Sequence, residues 1–227
     1  MPKGTLYGVS VGPGDPELMT LKAVRVIRSC PVIAAPRVRT RTLALDIARA
    51  SVDLSGKQII YLDFAMGAEK GSRDDVHRQL AREVFAVLDR GQDVALLNLG
   101  DATLFGTWSY LEALTRQAGY ETETVSGVTS FCASAARLHA SLTEMEQPLH
   151  IIPGYSEDLE SELKLPGTKV LMKSGRALPQ VKAAIDKLGL ADKAQMVVNC
   201  GLPDERALDH LEVVGDEGYF VIVLVGA

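Results

Sequence analysis

The stretch DVALLNLGDATLFG, residues 93–106, joins an apolar run to a polar turn bounded by glycines. Residues 93–97 have the length and aliphatic content of a strand buried on both faces, and residues 108–117 beyond the turn carry the spacing of an amphipathic helix. The unit is strand, loop, helix, and it recurs to either side. Upstream, residues 5–11, 32–35 and 58–62 predict strands. Between them lie predicted helices over 18–29, with Leu21, Val24 and Ile27 as apolar positions and Pro31 past the end, over 41–51, and over 74–88, with Val76, Leu80, Val84, Val87 and Leu88. Downstream, 121–125 predicts a strand. Such alternation predicts a mostly parallel sheet with helices on both faces.

The second half reads differently. Helices are predicted over 130–138, 157–163 and 179–188, and strands over 149–152, 169–173 and 195–199. Residues 211–214 and 219–225 read as two strands of a hairpin joined by Gly215-Asp216-Glu217-Gly218. The expectation is an α/β protein of two domains, 1–125 and 126–227. The first has the mostly parallel sheet, the second a mixed sheet, and the active-site cleft is expected between them.

Composition excludes several classes. With 47% hydrophobic residues and a net charge of −5, the chain is too apolar and too weakly charged for disorder. The longest apolar stretch, 219–227, falls far short of the roughly 20 residues of a membrane helix. The sequence MPKGTLYGVSVGPGD has glycines where a secretory leader is apolar, so the reading is a cytoplasmic protein without a membrane partner. Cys30, Cys132 and Cys200 are odd in number and widely spaced, which fits reduced thiols, and no ligand pair points to a metal site. An acidic chain is also poorly suited to nucleic acid.

Three glycine-bearing segments follow predicted strands, where open α/β sheets bind ligands. The first, Gly12-Pro13-Gly14-Asp15-Pro16-Glu17, leaves its strand sharply, with Asp15 placed to cap the next turn and Pro16 suited to a first helical position. It lacks the third glycine of a dinucleotide fingerprint. The second, Gly100 to Gly106, offers close backbone approach at Gly100 and a carboxylate at Asp101 for a cation, a hydroxyl or a loop amide. In the third, Ser126-Gly127-Val128-Thr129-Ser130, small residues open a helix. Each segment can also be read as a plain turn or cap. Gly8-Val9-Ser10-Val11-Gly12 matches the nucleophile elbow of serine hydrolases, but that elbow follows several strands and here only seven residues precede it.

Taken in order, these segments resemble the signatures of the tetrapyrrole methylases. Residues 11–15 are similar to the first signature, Gly100-Asp101 through Gly106 to the central one, and Gly127-Val128-Thr129-Ser130 to the third. Gly4-Thr5-Leu6-Tyr7-Gly8 running into residues 14–18, Thr129-Ser130-Phe131 continuing through residues 135–138, and Leu171-Met172-Lys173 resemble the branch that methylates carbon 20 of precorrin-2 or its cobalt complex, cobalt-factor II. The chain departs from the family at Ala102 and Ser126, where proline is usual, and at Phe105, where tyrosine is usual.

The resemblance implies a two-domain fold and a methyl transfer from S-adenosylmethionine (SAM), which leaves as S-adenosylhomocysteine, on the route to cobalamin. It implies cofactor contacts at Pro13, Gly100, Asp101, Leu104, Phe105, Thr129, Ser130, Met172 and Gly201, and a homodimer. A tetrapyrrole bears many carboxylates, so cations are needed on the substrate face. Arg37, Arg39 and Arg41, on one side of an extended segment, are the best local cluster, with Lys173 and Arg176 next. No catalytic base is assigned; Tyr7, Tyr155 or water could take the proton. The helix over 108–114, read as exposed, and the loop Phe64-Ala65-Met66 are candidate interfaces. The alternatives are a methylase acting at another ring position and a non-catalytic SAM or nucleotide-binding module. Whether the ring carries cobalt is open.

Overall fold

The computed structural model describes residues 2–38, 40–64, 70–212 and 220–226. The chain folds as two compact units, Met1–Thr129 and Ser130–Ala227.

The first unit holds five parallel strands, β1 (Leu6–Ser10), β2 (Val32–Arg37), β3 (Gln58–Asp63), β4 (Val94–Asn98) and β5 (Thr122–Val125), in the order β3-β2-β4-β1-β5. Strand β4 is buried along its whole length, as a central parallel strand with both faces covered must be. Its side chains alternate: Ala95 and Leu97 join the core under helices α1 (Leu21–Ser29) and α2 (Leu43–Ser51), while Val94 and Leu96 join the core under α3 (Lys70–Leu88) and α4 (Trp108–Gln117). Gly8 lets α4 lie close to β1, because a Cβ there would stand 2.3 Å from the ring of the buried Trp108. The Trp108 indole N–H donates to Thr124 Oγ1 at 2.9 Å.

From β1 the chain crosses one face of the sheet toward β2; from β4 it crosses the opposite face, past β1, to β5. The loops leaving adjacent β1 and β4 therefore diverge, and such a switch point is where open α/β sheets bind ligands.

The second unit opens with α5 (Ser130–Arg137) and contains β6 (Leu149–Pro153), α6 (Leu159–Leu163), β7 (Thr168–Met172), α7 (Leu178–Lys187), β8 (Ala194–Val198), β9 (Arg206–Leu208) and β10 (Val221–Val225). Its sheet runs β6-β7-β10-β8-β9, parallel between β6 and β7 and antiparallel elsewhere, so it is mixed as expected. Leu159, Leu163, Leu178, Val181 and Ile185 of α6 and α7 pack on Ile152, Leu171, Met196 and Val223 of the sheet.

Several local expectations need correction. Helix α1 begins at Leu21, because the Thr20 hydroxyl accepts from Ala23 N at 3.1 Å and residues 16–18 form a separate 3-10 turn. Leu21 is consequently 89% exposed, and the buried stripe is Ala23, Val26 and Ile27. The last ladder before β10 is β9 rather than residues 211–214: Leu211 and Glu212 are not in a strand, and Val213, Val214, the turn 215–218 and Tyr219 lie outside the described residues. Helix α4 is not exposed throughout, since Trp108 and Leu111 are core residues; of the other suggested interface, Phe64 is nearly buried and Ala65 and Met66 lie outside the described residues.

Candidate functional site

Three loops leave the carboxyl ends of the neighbouring strands β4, β1 and β5. After β1, Gly12 (φ 77°) turns the chain so that its N–H and C=O both meet Gly100, by Gly100 N donating to Gly12 O at 2.7 Å and Gly12 N to Gly100 O at 3.3 Å. Positive φ favours glycine at both positions. The next residues are ordered by a local cap, in which the Asp15 carboxylate accepts from Glu17 N at 2.9 Å with Pro16 at the first position of the turn. Pro13 is buried at this bend.

After β4, Asp101 is 9% exposed, and protein donors meet both carboxylate oxygens. Oδ1 accepts from Thr103 N at 2.8 Å and from the Thr103 hydroxyl at 2.5 Å, and Oδ2 accepts from Gly127 N at 2.7 Å. Burial pushes this carboxyl up, but the bonds from Thr103 and Gly127 outweigh it and hold the group below the usual carboxylate range. Of the three partners open to Asp101 in the sequence, two are used: a hydroxyl and loop amides. Leu104 N donates to Asp101 O at 3.2 Å, and Phe105 follows with φ 52° and 42% exposure. A bulky residue at positive φ costs on the order of 1 kcal/mol, and such outliers cluster at ligand sites.

The loop after β5 packs against both others. A Cβ on Gly127 would lie 2.4 Å from Ser10 Cβ and 2.8 Å from Gly100 O. Ser10, fully buried at the end of β1, accepts from Ala102 N at 2.9 Å. Alanine at 102 thus supplies an N–H that a proline there would lack. The bond also engages the hydroxyl of the hydrolase-like motif, and Ser10 sits inside a regular strand rather than on a sharp turn. Sequence reasoning missed Ser10 as part of the loop scaffold. Its one signal is a serine within the otherwise apolar strand Leu6–Ser10.

The first unit therefore brings Pro13, Gly100, Asp101, Leu104 and Phe105 into one interlocked loop cluster that leads to Thr129. In that cluster the backbone N–H of Gly100 is engaged by Gly12.

In the second unit, β7 and β8 both run antiparallel to β10, so their carboxyl ends lie at the same end of the sheet. Met172 ends β7, mostly buried, with its C=O accepting from Gly154 N at 2.7 Å. Lys173 follows at φ 57°, its ammonium drawn below the usual lysine range by partial burial. After β8, Gly201 (φ 78°) donates its N–H to Glu205 Oε2 at 2.5 Å, and the other oxygen of Glu205 meets Arg137 Nε of α5 at 3.1 Å. Ser130 is the first residue of that helix. Glu205, and its pairing with Arg137 of the 135–138 stretch, escaped sequence reasoning, since the partners lie far apart in the chain and their spacing follows no motif.

The arginine segment is not extended. Val38 and Arg41 exchange backbone bonds at 3.1 and 3.0 Å, so the chain turns there, and Arg39 lies outside the described residues. Arg37 makes a forked bond to Asp63, with both contacts at 2.6 Å, and stacks over Tyr61. Tyr7 sits three residues before the loop end of β1 and packs into the core under α1 and α2, where burial raises its pKa; Tyr155 is exposed. Among the described residues no group of three His, Cys, Asp or Glu is placed to hold a metal, and no helix is long and apolar enough to cross a membrane.

Comparison with known proteins completes the picture. Residues 5–212 match the family model described as Tetrapyrrole (Corrin/Porphyrin) Methylases. The chain is 35% identical, over 98% of its length and 96% of the relative, to a Salmonella typhimurium protein named cobalt-precorrin-2 C(20)-methyltransferase. It is 30% identical, over 98% and 95%, to a Sinorhizobium precorrin-2 C(20)-methyltransferase. In fold it is similar to a Thermus thermophilus uroporphyrin-III C-methyl transferase solved with S-adenyl homocysteine, with a TM-score of 0.72 at 24% identity over 98% of this chain and 97% of that one.

Proposed function

The chain belongs to the tetrapyrrole (corrin/porphyrin) methylases, and from that membership we propose that it transfers the methyl group of SAM to carbon 20 of precorrin-2 or of its cobalt complex in cobalamin biosynthesis. The observation that carries the reading is the interlocked cluster at the ends of β4, β1 and β5, packed so closely that a Cβ on Gly127 would stand 2.4 Å from Ser10 Cβ. Relatives named for carbon-20 methylation, with and without cobalt, align along nearly the whole chain.

In this reading Pro13, Gly100, Leu104, Phe105, Thr129, Ser130, Met172 and Gly201 are the cofactor positions, and Asp101 stands among them in the loop after β4. SAM supplies an electrophilic methyl on a sulfonium, which passes to the ring carbon as the S–C bond breaks; the ring carbon then gives up one proton. The protein's part is alignment and exclusion of water, which suits a rigid backbone cluster better than a nucleophile. Lys173, directly after Met172, is a cationic candidate for a ring carboxylate, and Arg37 is held in a forked bond by Asp63. Arg41, and Arg39 with it, remain candidates of the same kind. The reading includes a cytoplasmic homodimer, whose mass in solution light scattering measures.

The test is a methyl-transfer assay with purified protein and SAM on metal-free precorrin-2 and on cobalt-factor II in parallel, with NMR assignment of the new methyl. Methylation of carbon 20 on either ring is expected, and the preferred ring sets the cobalt question. A methyl at another position would favour the sister activities of the family. S-adenosylhomocysteine binding without turnover on either ring would refute the activity and favour a binding module.

A further inference from the structure

We propose that Asp101 is a positioning residue for the cofactor and not a ligand of it. Its carboxylate clasps the loop after β4 to the loop after β5, and this proposal rests on the methylase reading above. Three of the carboxylate's roughly four acceptor sites are filled by its own chain. One oxygen takes both donors of Thr103, at 2.8 and 2.5 Å, and the other takes Gly127 N at 2.7 Å. The adjacent residue is tied in the other direction, by Ala102 N to Ser10 Oγ at 2.9 Å. Two consecutive residues thus fasten the β4 loop to the end of β1 and to the loop after β5. Gly127, the donating partner, has no room to shift toward Ser10 or Gly100. An ionised carboxylate with three short donors from its own chain has little to gain from a ligand ammonium, whereas its removal frees the Gly127 amide and unfastens the loop.

The two roles separate by which part of the ligand matters. S-adenosylhomocysteine carries an amino acid end with an ammonium; 5′-methylthioadenosine is the same nucleoside thioether without it. Calorimetric titration of both into wild type and Asp101→Asn is expected to show each weakened about 10- to 100-fold, by the same factor, because Asn offers an NH2 to groups that need an acceptor. Amide hydrogen exchange of the ligand-free variant is expected to quicken at Gly127 by about tenfold or more while amides of β4 stay protected. Should Asp101→Asn fail to fold, Thr103→Val, which deletes one donor, carries the same equal-factor expectation at smaller size. Weakening confined to S-adenosylhomocysteine would make Asp101 a ligand of the ammonium and overturn the proposal alone. Unchanged affinity for both, or unchanged exchange at Gly127, would also overturn it. Wild-type protein that binds neither ligand would overturn the methylase reading, and this proposal with it.

Discussion

Substituting Gly127 by alanine tests the loop cluster with one carbon atom. The added Cβ would sit 2.4 Å from Ser10 Cβ and 2.8 Å from Gly100 O. Carbon atoms rest about 3.5–4.0 Å apart, so a displacement of roughly 1 Å is required. Neither neighbour yields easily. Ser10 is fully buried in a central strand and holds Ala102 N, and Gly100 is bonded twice to Gly12. Overpacking in a stiff setting costs about 1–3 kcal/mol, and the upper end, about 3 kcal/mol, is expected here. Trp108 is the single tryptophan and is buried in the first unit, so its fluorescence in urea follows that unit's unfolding. Gly119→Ala is the control: its φ is 78° with no atom within 4 Å of the added Cβ, so it carries only the left-handed backbone penalty, roughly 1 kcal/mol. Gly127→Ala is expected to lose the larger amount and to weaken S-adenosylhomocysteine by about tenfold or more, while Gly119→Ala leaves binding alone. If the two variants lost equal stability, the close packing of the three loops would be refuted.

Ser10→Ala is expected to cost about 1–3 kcal/mol by leaving the buried Ala102 N–H unpaired, and less in an Ala102→Pro background, where that N–H is gone. Equal costs in both backgrounds, read by urea titration, would break the assignment of the bond. Because the native Asp101 carboxyl lies below the unfolded value, its contribution is complete above the unfolded pKa and lost as pH falls through the lower native pKa. The stability gap between wild type and Asp101→Asn should therefore be flat above about pH 5 and close below about pH 4, and a gap that stayed constant down to about pH 2 would contradict the sign. Thiol titration at about pH 8, near the usual thiol pKa, should find Cys132, which is exposed, reacting first. Cys30, pushed up to about 12 by burial and by Asp93, and the buried Cys200 should react only on unfolding, and rapid native labelling of Cys30 would contradict its burial.

Much of this fold is legible because a doubly covered parallel strand has to be an apolar run. Residues 93–97 and the real β4, Val94–Asn98, differ by one position, and the stripe Leu80, Val84, Val87 and Leu88 is the face that α3 buries. Helix α1 misleads because two apolar stripes overlap in its sequence, and only the Thr20 cap decides that Leu21 points to solvent. Strand β9 has almost no pattern to read, since an edge strand of three residues, largely exposed, buries too little to leave a period. The glycine loops are visible as strings. Their coupling is not, because the acceptor at Asp101 and the amide of Gly127 are 26 residues apart and meet only through the strand order. The arginine cluster shows the reverse failure: alternate spacing places charges on one side only while the chain stays extended, and neither glycine nor proline announces the turn between Val38 and Arg41.

Strand β10 joins the second sheet at its centre, between β7 and β8, with all five residues buried. On the ribosome this order creates a waiting period. β8 ends at Val198 and β7 at Met172, yet the strand both pair with begins at Val221. At roughly 5–20 residues per second, β7 waits on the order of several seconds with one apolar edge unpaired. Once β8 has been made, the nascent chain presents two open edges awaiting one strand, a template for another chain's strand. The yield of this enzyme in a cell should therefore depend on translation speed across residues 173–220 and on the holdases that cover the gap, more than on the stability of the finished fold.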